Sequence, residues 1–344
     1  MRLTAFIVNA FLLLTLTAHG QTTTGANPNP NPPDAEIEEE MTERALSVEP
    51  DAVVNLCLES GSVVVRGSDS REVRVRADAA RLELRGEAGA RPPAQASQAS
   101  QTPGAQKPSK NVEVWVSDSE DDERVSGICA GSGNVELEMP RGATLILKLH
   151  NGDIDVSDIA EAHIQSLNGD TEVRRVTRAA DIQNISGSIT LSDSSGRVRL
   201  QGVSSDIDAS NVRAAGPADQ FSAKTTSGSV TLDRVTHSRV EAGTVSGDVN
   251  VTGTGALARD GSYDFKTFSG DVTVTLPADA SFKLNAIVAS GGEISTDFIV
   301  KSDTGAQSLK EPAHGQGRLH GTVGSNGAHV NLASFNGSLR LKKR

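Results

Sequence analysis

A six-residue unit, Ser/Asn-Gly-small polar-Val/Ile-x-Val/Leu, recurs along most of this chain, and a recurring unit restricts the fold more than any single motif does. It reads SGSVVV at 60–65, SGNVEL at 132–137, NGDIDV at 151–156, NGDTEV at 168–173, SGSITL at 186–191 and SGRVRL at 195–200. It continues as SGSVTL at 227–232, SGDVNV at 246–251, SGDVTV at 269–274 and NGSLRL at 336–341. Each copy is a turn followed by a strand. Gly supplies the positive φ of the corner, and the Ser, Asn or Asp beside it can hydrogen-bond the local backbone. The next residues alternate, so Val230 and Leu232 share one face while Thr231 points away. Between copies lies a second, weaker strand, as at Arg239-Val240-Glu241-Ala242 and Ala162-His163-Ile164-Gln165.

Two short strands and two corners amount to about 20 residues, which matches the spacing of the copies and is the length of one solenoid coil. One coil cannot bury its apolar face alone. It needs a near-identical neighbour at ~4.8 Å above and below, and the repeat supplies one. The expected fold is all-β: a single-chain, β-helix-like solenoid of ~20-residue coils with two strands each. Ile154, Val156, Ile164, Ile189, Leu191, Val230, Leu232, Val240, Val249, Val251, Val272 and Val274 are expected inside. An antiparallel sandwich would not require the same hexamer to recur, and a propeller blade needs ~40 residues. Aromatics make up only 3% of the chain, with one Trp and one Tyr, as suits two sheets facing each other across a narrow interior.

Outside the repeat the composition changes. Residues 1–20 combine Arg2, an apolar run through Leu14 and small residues at Ala18 and Gly20, the pattern of a cleaved secretory signal. Residues 21–46, rich in Pro, Asn and Glu, are expected to be a disordered leader, with the solenoid domain over 47–344. Within it REVRVRA (71–77) and NVEVWV (111–116) read as strands, and 86–110 as a mobile insertion with almost nothing to bury. No later stretch approaches the ~20 apolar residues of a membrane helix, so no transmembrane segment is expected after signal cleavage. The expected product is exported, to the periplasm or cell surface.

The SGDV-type hexamers, the secretory leader, the early Val-rich strand pair and the ending SFNGSLRLKKR together resemble the bacterial putative-adhesin β-solenoid family, a domain of unknown function in envelope proteins. The resemblance covers about residues 47–344, leaving out the insertion. It marks fold rather than chemistry and brings no catalytic or binding residues.

A search for chemistry finds little. The corner carboxylates Asp153, Asp170, Asp248 and Asp271, with Asp155 nearby, could bring pairs together on neighbouring coils. Two carboxylates are too few for calcium's 6–8 oxygens, and Ser62, Ser188 and Ser229 fill the same slot elsewhere, so each is expected to cap its own turn. The seven His show no zinc spacing, and His314 and His320 fall in a Gly-rich segment. Arg174, Arg175, Arg178, Arg197, Arg199 and Arg213 give coils 168–213 a mild basic bias that a solvated face explains. No nucleophile elbow, phosphate loop or dinucleotide fingerprint is present. No catalytic residue, cofactor or metal is expected. The net charge of −11 argues against nucleic acid as partner. The expectation is a monomeric, non-catalytic envelope protein, a scaffold or adhesin-like surface for an envelope polymer or partner protein. The alternative is a polysaccharide-acting lyase or hydrolase.

Two features concern the ends of the stack. Cys57 and Cys129 each lie three residues before a Ser-Gly corner, so stacking of coil 52–65 on coil 125–137 would bring them within disulfide reach, and an exported chain meets an oxidising compartment. A disulfide is expected. The C-terminal coil, Ser334 to Leu341, is expected to close the stack, with Lys342, Lys343 and Arg344 blunting its open edge.

Overall fold

The computed structural model describes residues 41–86, 108–118, 129, 131–253, 257–301, 313–314, 317–325 and 327–344. Residues 1–20, expected as a signal, most of the expected leader and most of the expected 86–110 insertion lie outside the described residues. Every regular element described is a strand.

The first coil is β1 (Thr42–Ser60) and β2 (Val63–Ser68), followed by β3 (Glu72–Ala77) and β4 (Arg81–Gly86). The second coil is β5 (Ser109–Ser117) and β6 (Val135–Pro140). Then come β7 (Thr144–Asn151) with β8 (Ile154–Ser157), β9 (Glu161–Asn168) with β10 (Thr171–Arg174), and β11 (Ala179–Ser186) with β12 (Ile189–Ser192). β13 (Arg197–Ser204) pairs off with β14 (Ile207–Arg213), β15 (Phe221–Lys224) with β16 (Val230–Thr236), and β17 (Arg239–Ser246) with β18 (Val249–Thr252). β19 (Ser262–Ser269) and β20 (Val272–Leu276) precede β21 (Phe282–Ser290) and β22 (Glu293–Thr296). β23 (Ala313–His314), β24 (Gly317–Val323), β25 (Ala328–Asn336) and β26 (Leu339–Lys343) complete the chain.

The first strand of each coil joins one parallel sheet and the second strand joins the other, so the two faces run the length of the stack. In the second sheet Ile154, Thr171, Ile189, Ile207, Val230, Val249 and Val272 occupy one register row. Val156, Val173, Leu191, Ala209, Leu232, Val251 and Val274 form the row two residues on. Both rows are buried, and all twelve residues expected inside are in the core. The period of two does this: alternate side chains of a strand face one way, and stacking repeats that choice from coil to coil.

The corner between the sheets shows why Gly recurs. Gly152 has φ 133° and Gly169 has φ 119°. A Cβ on either would overlap the carbonyl oxygen of the corner glycine below, Gly61 or Gly152 respectively. Both the backbone conformation and the close approach therefore demand Gly. Buried Thr244 and Thr267 donate hydroxyl hydrogen bonds of 2.9 Å to the carbonyls of Gly228 and Gly247 on adjacent coils. The Asn184 side-chain amide donates likewise to the Gly169 carbonyl at 2.9 Å and the Ser334 hydroxyl to the Gly270 carbonyl at 3.0 Å. A column of inward polar side chains thus satisfies carbonyls that the corner would otherwise bury unpaired.

The opposite corner uses few glycines. Asp158, Arg175 and Asp193 directly follow β8, β10 and β12, and Asn211 and Arg234 hold the equivalent positions within β14 and β16, each with φ between 50° and 63°. Arg175 spans to Asp158 at 2.7 and 2.8 Å, Asn211 donates to Asp193 at 3.0 Å, and Arg234 reaches Asn211. Side-chain bonds between stacked turns offset the cost of placing non-glycine residues in the left-handed region.

Several sequence expectations are corrected. Residues 42–46, assigned to the leader, belong to β1 and pair antiparallel with β3, because their alternation matches its register. Ser109 and Lys110, assigned to the insertion, begin β5, and Gly86 ends β4. SGRVRL does not lie at the common corner. Gly196 precedes β13, a strand of the first sheet. The true corner of that coil is SSDIDA at 204–209, where Ser204 bridges Ser227. A turn plus an alternating strand is the same pattern at either corner, so the hexamer alone does not distinguish them.

The stack also departs from chain order at both ends. The β1–β2 coil lies between the β5–β6 and β7–β8 coils. The C-terminal β25–β26 coil lies between β19–β20 and β21–β22, not at the end of the stack. Lys342 and Lys343 therefore do not blunt a terminal edge. Antiparallel strands do that work: β4 on β5 and β3 on β6 at one end, β24 on β21 and β23 on β22 at the other. A terminal parallel strand would expose a ladder open to further strand addition, and the reversed strand covers it.

Candidate functional site

The groups singled out in the sequence are spent on holding coils together. Asp153 Oδ1 accepts the Asp170 N–H at 2.9 Å, and Asp170 Oδ1 accepts the Ser188 N–H at 2.7 Å and its hydroxyl at 2.9 Å. Asp248 accepts from the Asp271 N–H at 2.8 Å, and Asp271 from the Ser338 N–H at 2.7 Å. Each carboxylate caps the next coil rather than its own turn. The Ser188 N–H and hydroxyl hold the Asp170 carboxyl below its usual range. For Asp271 burial pushes the other way, but the Ser338 N–H and the Arg340 guanidinium outweigh it and the carboxyl is lowered. Among the described residues no three His, Cys, Asp or Glu side chains converge in a metal-binding group.

The basic bias of coils 168–213 does not form one face. Arg174 grips Asp155 at 2.8 and 2.9 Å on the second sheet, while Arg175 and Arg178 sit at the opposite corner, Arg178 near Glu161 at 3.2 Å. Arg197 and Arg199 lie on the first sheet and Arg213 ends β14. The Arg175 guanidinium holds Asp158 below the usual carboxylate range. His320 lies in β24 opposite Asn285, and His314 in β23. Tyr263 is buried, its hydroxyl accepting from the Ala258 N–H at 3.0 Å, and Trp115 carries Arg81 over its ring at 5.2 Å. Cys57 points outward between buried Leu56 and Leu58 and is bonded to Cys129, with Cα atoms 4.8 Å apart. Ser60 bridges Ser132 beside them.

One set of apolar side chains lies outside the core. Leu167, Ile185, Val203, Val245, Phe268 and Phe335 are each between 40% and 55% exposed. All stand immediately before the Ser/Asn-Gly or Ser-Ser corner of their coil. The strand registers align Leu167 with Ile185, Ile185 with Val203, Val245 with Phe268 and Phe268 with Phe335. Thr226 fills the row between Val203 and Val245. The result is an apolar ridge along one edge of the solenoid, one side chain from each of six coils, interrupted once by Thr226. It ends at a polar pair, Glu59 and His150, 2.6 Å apart, and at Ala289 beside Phe335.

The ridge follows from strand geometry. In β9, Ala162, Ile164 and Ser166 face inward, so His163, Gln165 and Leu167 face outward. An outward position has no reason to be apolar for folding, and one large exposed apolar side chain is unremarkable. Six in one register row form a contiguous surface, and such surfaces mark interaction sites. Beside the ridge on the strand side runs a column of long polar side chains, Lys148, Gln165, Gln183, Gln201, Lys224 and Lys266, broken by Gly243 between the last two. Past the corner runs the Asp and Ser column described above. An apolar core with a polar rim is the anatomy of a binding interface. The sequence carried this signal in the apolar residue preceding five of the Ser/Asn-Gly pairs, at Leu167, Ile185, Val245, Phe268 and Phe335, one position before the hexamer begins.

The sequence matches the family described as Toastrack DUF4097 over residues 106–342. A crystal structure described as a putative cell adhesion protein from Clostridium sporogenes is similar at 13% identity, covering 89% of this chain and 100% of that chain, with a TM-score of 0.24. The comparison with curated proteins returned no match.

Proposed function

The chain belongs to the Toastrack DUF4097 family, and we propose that it is a non-catalytic binding scaffold, exported to the periplasm or cell surface, that holds an envelope polymer or partner protein. The observation that carries this reading is the exposed apolar ridge with its polar rim, because its outward side chains contribute nothing to the buried core. The disposition of charges supports it as well. The acids and bases that a lyase or hydrolase would gather in one groove are here divided between corner caps and ion pairs on separate faces. The export component rests on residues 1–20 and on an outward-facing disulfide position suited to an oxidising compartment.

The test uses the immobilised mature chain against envelope protein extracts and a polysaccharide array, beside an Ile185→Lys/Phe268→Lys variant. Retention of a component by the parent and not by the variant supports the reading. Turnover of an envelope polysaccharide, or equal retention by both, overturns it.

A further inference from the structure

We propose that the ridge is occupied by a second copy of this chain, two solenoids lying side by side and parallel about a two-fold axis along their length. The inference rests on reading the ridge as a binding surface and names its occupant. Three observations carry it.

The first is spacing. Ridge residues recur once per strand rung, ~4.8 Å apart, and a second copy is a partner sure to have the same interval along its whole length. In the parallel arrangement each rung meets its own counterpart, Phe268 against Phe268 and Ile185 against Ile185, as an isologous contact requires.

The second is charge. A two-fold axis along the solenoid places the strand-side column of one copy against the corner column of the other. Lys148 then faces Asp153 of the second copy, Gln165 faces Asp170, Gln201 faces Asp206 and Lys266, which also pairs with Asp264 of its own chain, faces Asp271, while Gln183 and Lys224 face Ser188 and Ser229. Lys148 with Gln165, and Asp153 with Asp170, sit on adjacent rungs of their own chain. An antiparallel pair would instead set the Lys/Gln column against itself and the Asp/Ser column against itself, which gives no opposite-sign pairing and disfavours that orientation.

The third is size. About ten rungs from Glu59 to Ala289 span roughly 45 Å, and a strip ~18 Å wide over that length covers about 800 Å² per copy, the extent of a standard stable interface. The apolar side chains occupy its centre, where interface stabilisation concentrates.

Sedimentation equilibrium of the mature chain over the micromolar range tests this. A concentration-dependent dimer is expected, with association weakened at least about a hundredfold in Ile185→Lys/Phe268→Lys. Circular dichroism would confirm that the variant keeps its strands. Orientation is read separately. Under mild oxidation Ile185→Cys alone should cross-link to itself, because the parallel pair places that rung against its own copy, whereas an antiparallel pair would place it near Phe268. A monomer at all concentrations, a dimer indifferent to the double substitution, or no Ile185→Cys cross-link overturns the proposal. A monomer that still retains an envelope component through the ridge would remove the second copy as occupant while leaving the binding-scaffold reading standing.

Discussion

Phe268 and Phe335 stack with their ring centroids 4.6 Å apart and their planes 2° from parallel, both on the solvent side of the first sheet. The pair exists because β25 inserts between β19 and β21, the last-made coil taking a place inside the stack. Deleting residues 328–344 should therefore remove an interior layer. Amide exchange within 262–276 is expected to rise sharply and the melting temperature to fall. Unchanged protection of 262–276 would count against the insertion.

The corner glycines should tolerate no side chain. In Gly152→Ala the new methyl meets the Gly61 carbonyl, a backbone atom that neighbouring coils hold in place. A loss of roughly 3 kcal/mol or more is expected in urea unfolding. Gly216→Ala, where the nearest atom is Asp219 Oδ2 at 3.8 Å, is the matched control and should shift stability by under about 0.5 kcal/mol.

Core truncation should be costly despite the small side chains. Val249 is fully buried between Val230 and Val272 in the register row. Val249→Ala opens a gap that stacked strands cannot easily close, and a loss on the order of 1–3 kcal/mol is expected from chemical denaturation.

Acidification should act in two stages. Burial pushes the His237 imidazole below its ordinary value, against the pull of the Gly196 carbonyl bonded to it at 2.8 Å. The unfolded chain therefore takes up that proton first, and stability declines as pH falls below about 6.5. Asp170 and Asp158 are also depressed, by the Ser188 donors and by Arg175 respectively. Their contribution is complete above about pH 4 and is lost as pH falls through the lowered folded values. Denaturant midpoints against pH should show both declines. His237→Gln should remove the first stage alone, and Asp170→Asn should flatten the second.

The bond between Cys57 and Cys129 should matter to the N-terminal end. The two cysteines are 72 residues apart in sequence, so the bond closes a long covalent loop onto β1. In the chain-entropy model a loop of that length is worth about 4 kcal/mol. Reduction, or Cys129→Ser, should lower the midpoint by a corresponding amount. Two reactive thiols in the denatured, unreduced protein would show that the bond does not form in solution.

The sequence by itself determined the coil. Period-two alternation after each Ser/Asn-Gly placed Val230 and Leu232 inside, and the need of each coil for an equal neighbour made a stack the only economical way to bury them. These are local properties, set by Cβ direction and backbone φ within a few residues. The order of the coils was not local. SGSVVV looks equally able to stack on SGNVEL or NGDIDV, and in the structure it lies between them; NGSLRL likewise pairs on both sides. Repeats are near-degenerate partners, so the antiparallel strands at the ends help to select one arrangement. The left-handed turns at Asp158, Arg175 and Arg234 were hidden for a related reason, since side chains of the adjacent turn stabilise them and no residue type announces that help. Leu167, Ile185 and Phe268 were present in the sequence as single exposed residues. Only the register, which sets them side by side across strands far apart in the chain, makes them one surface.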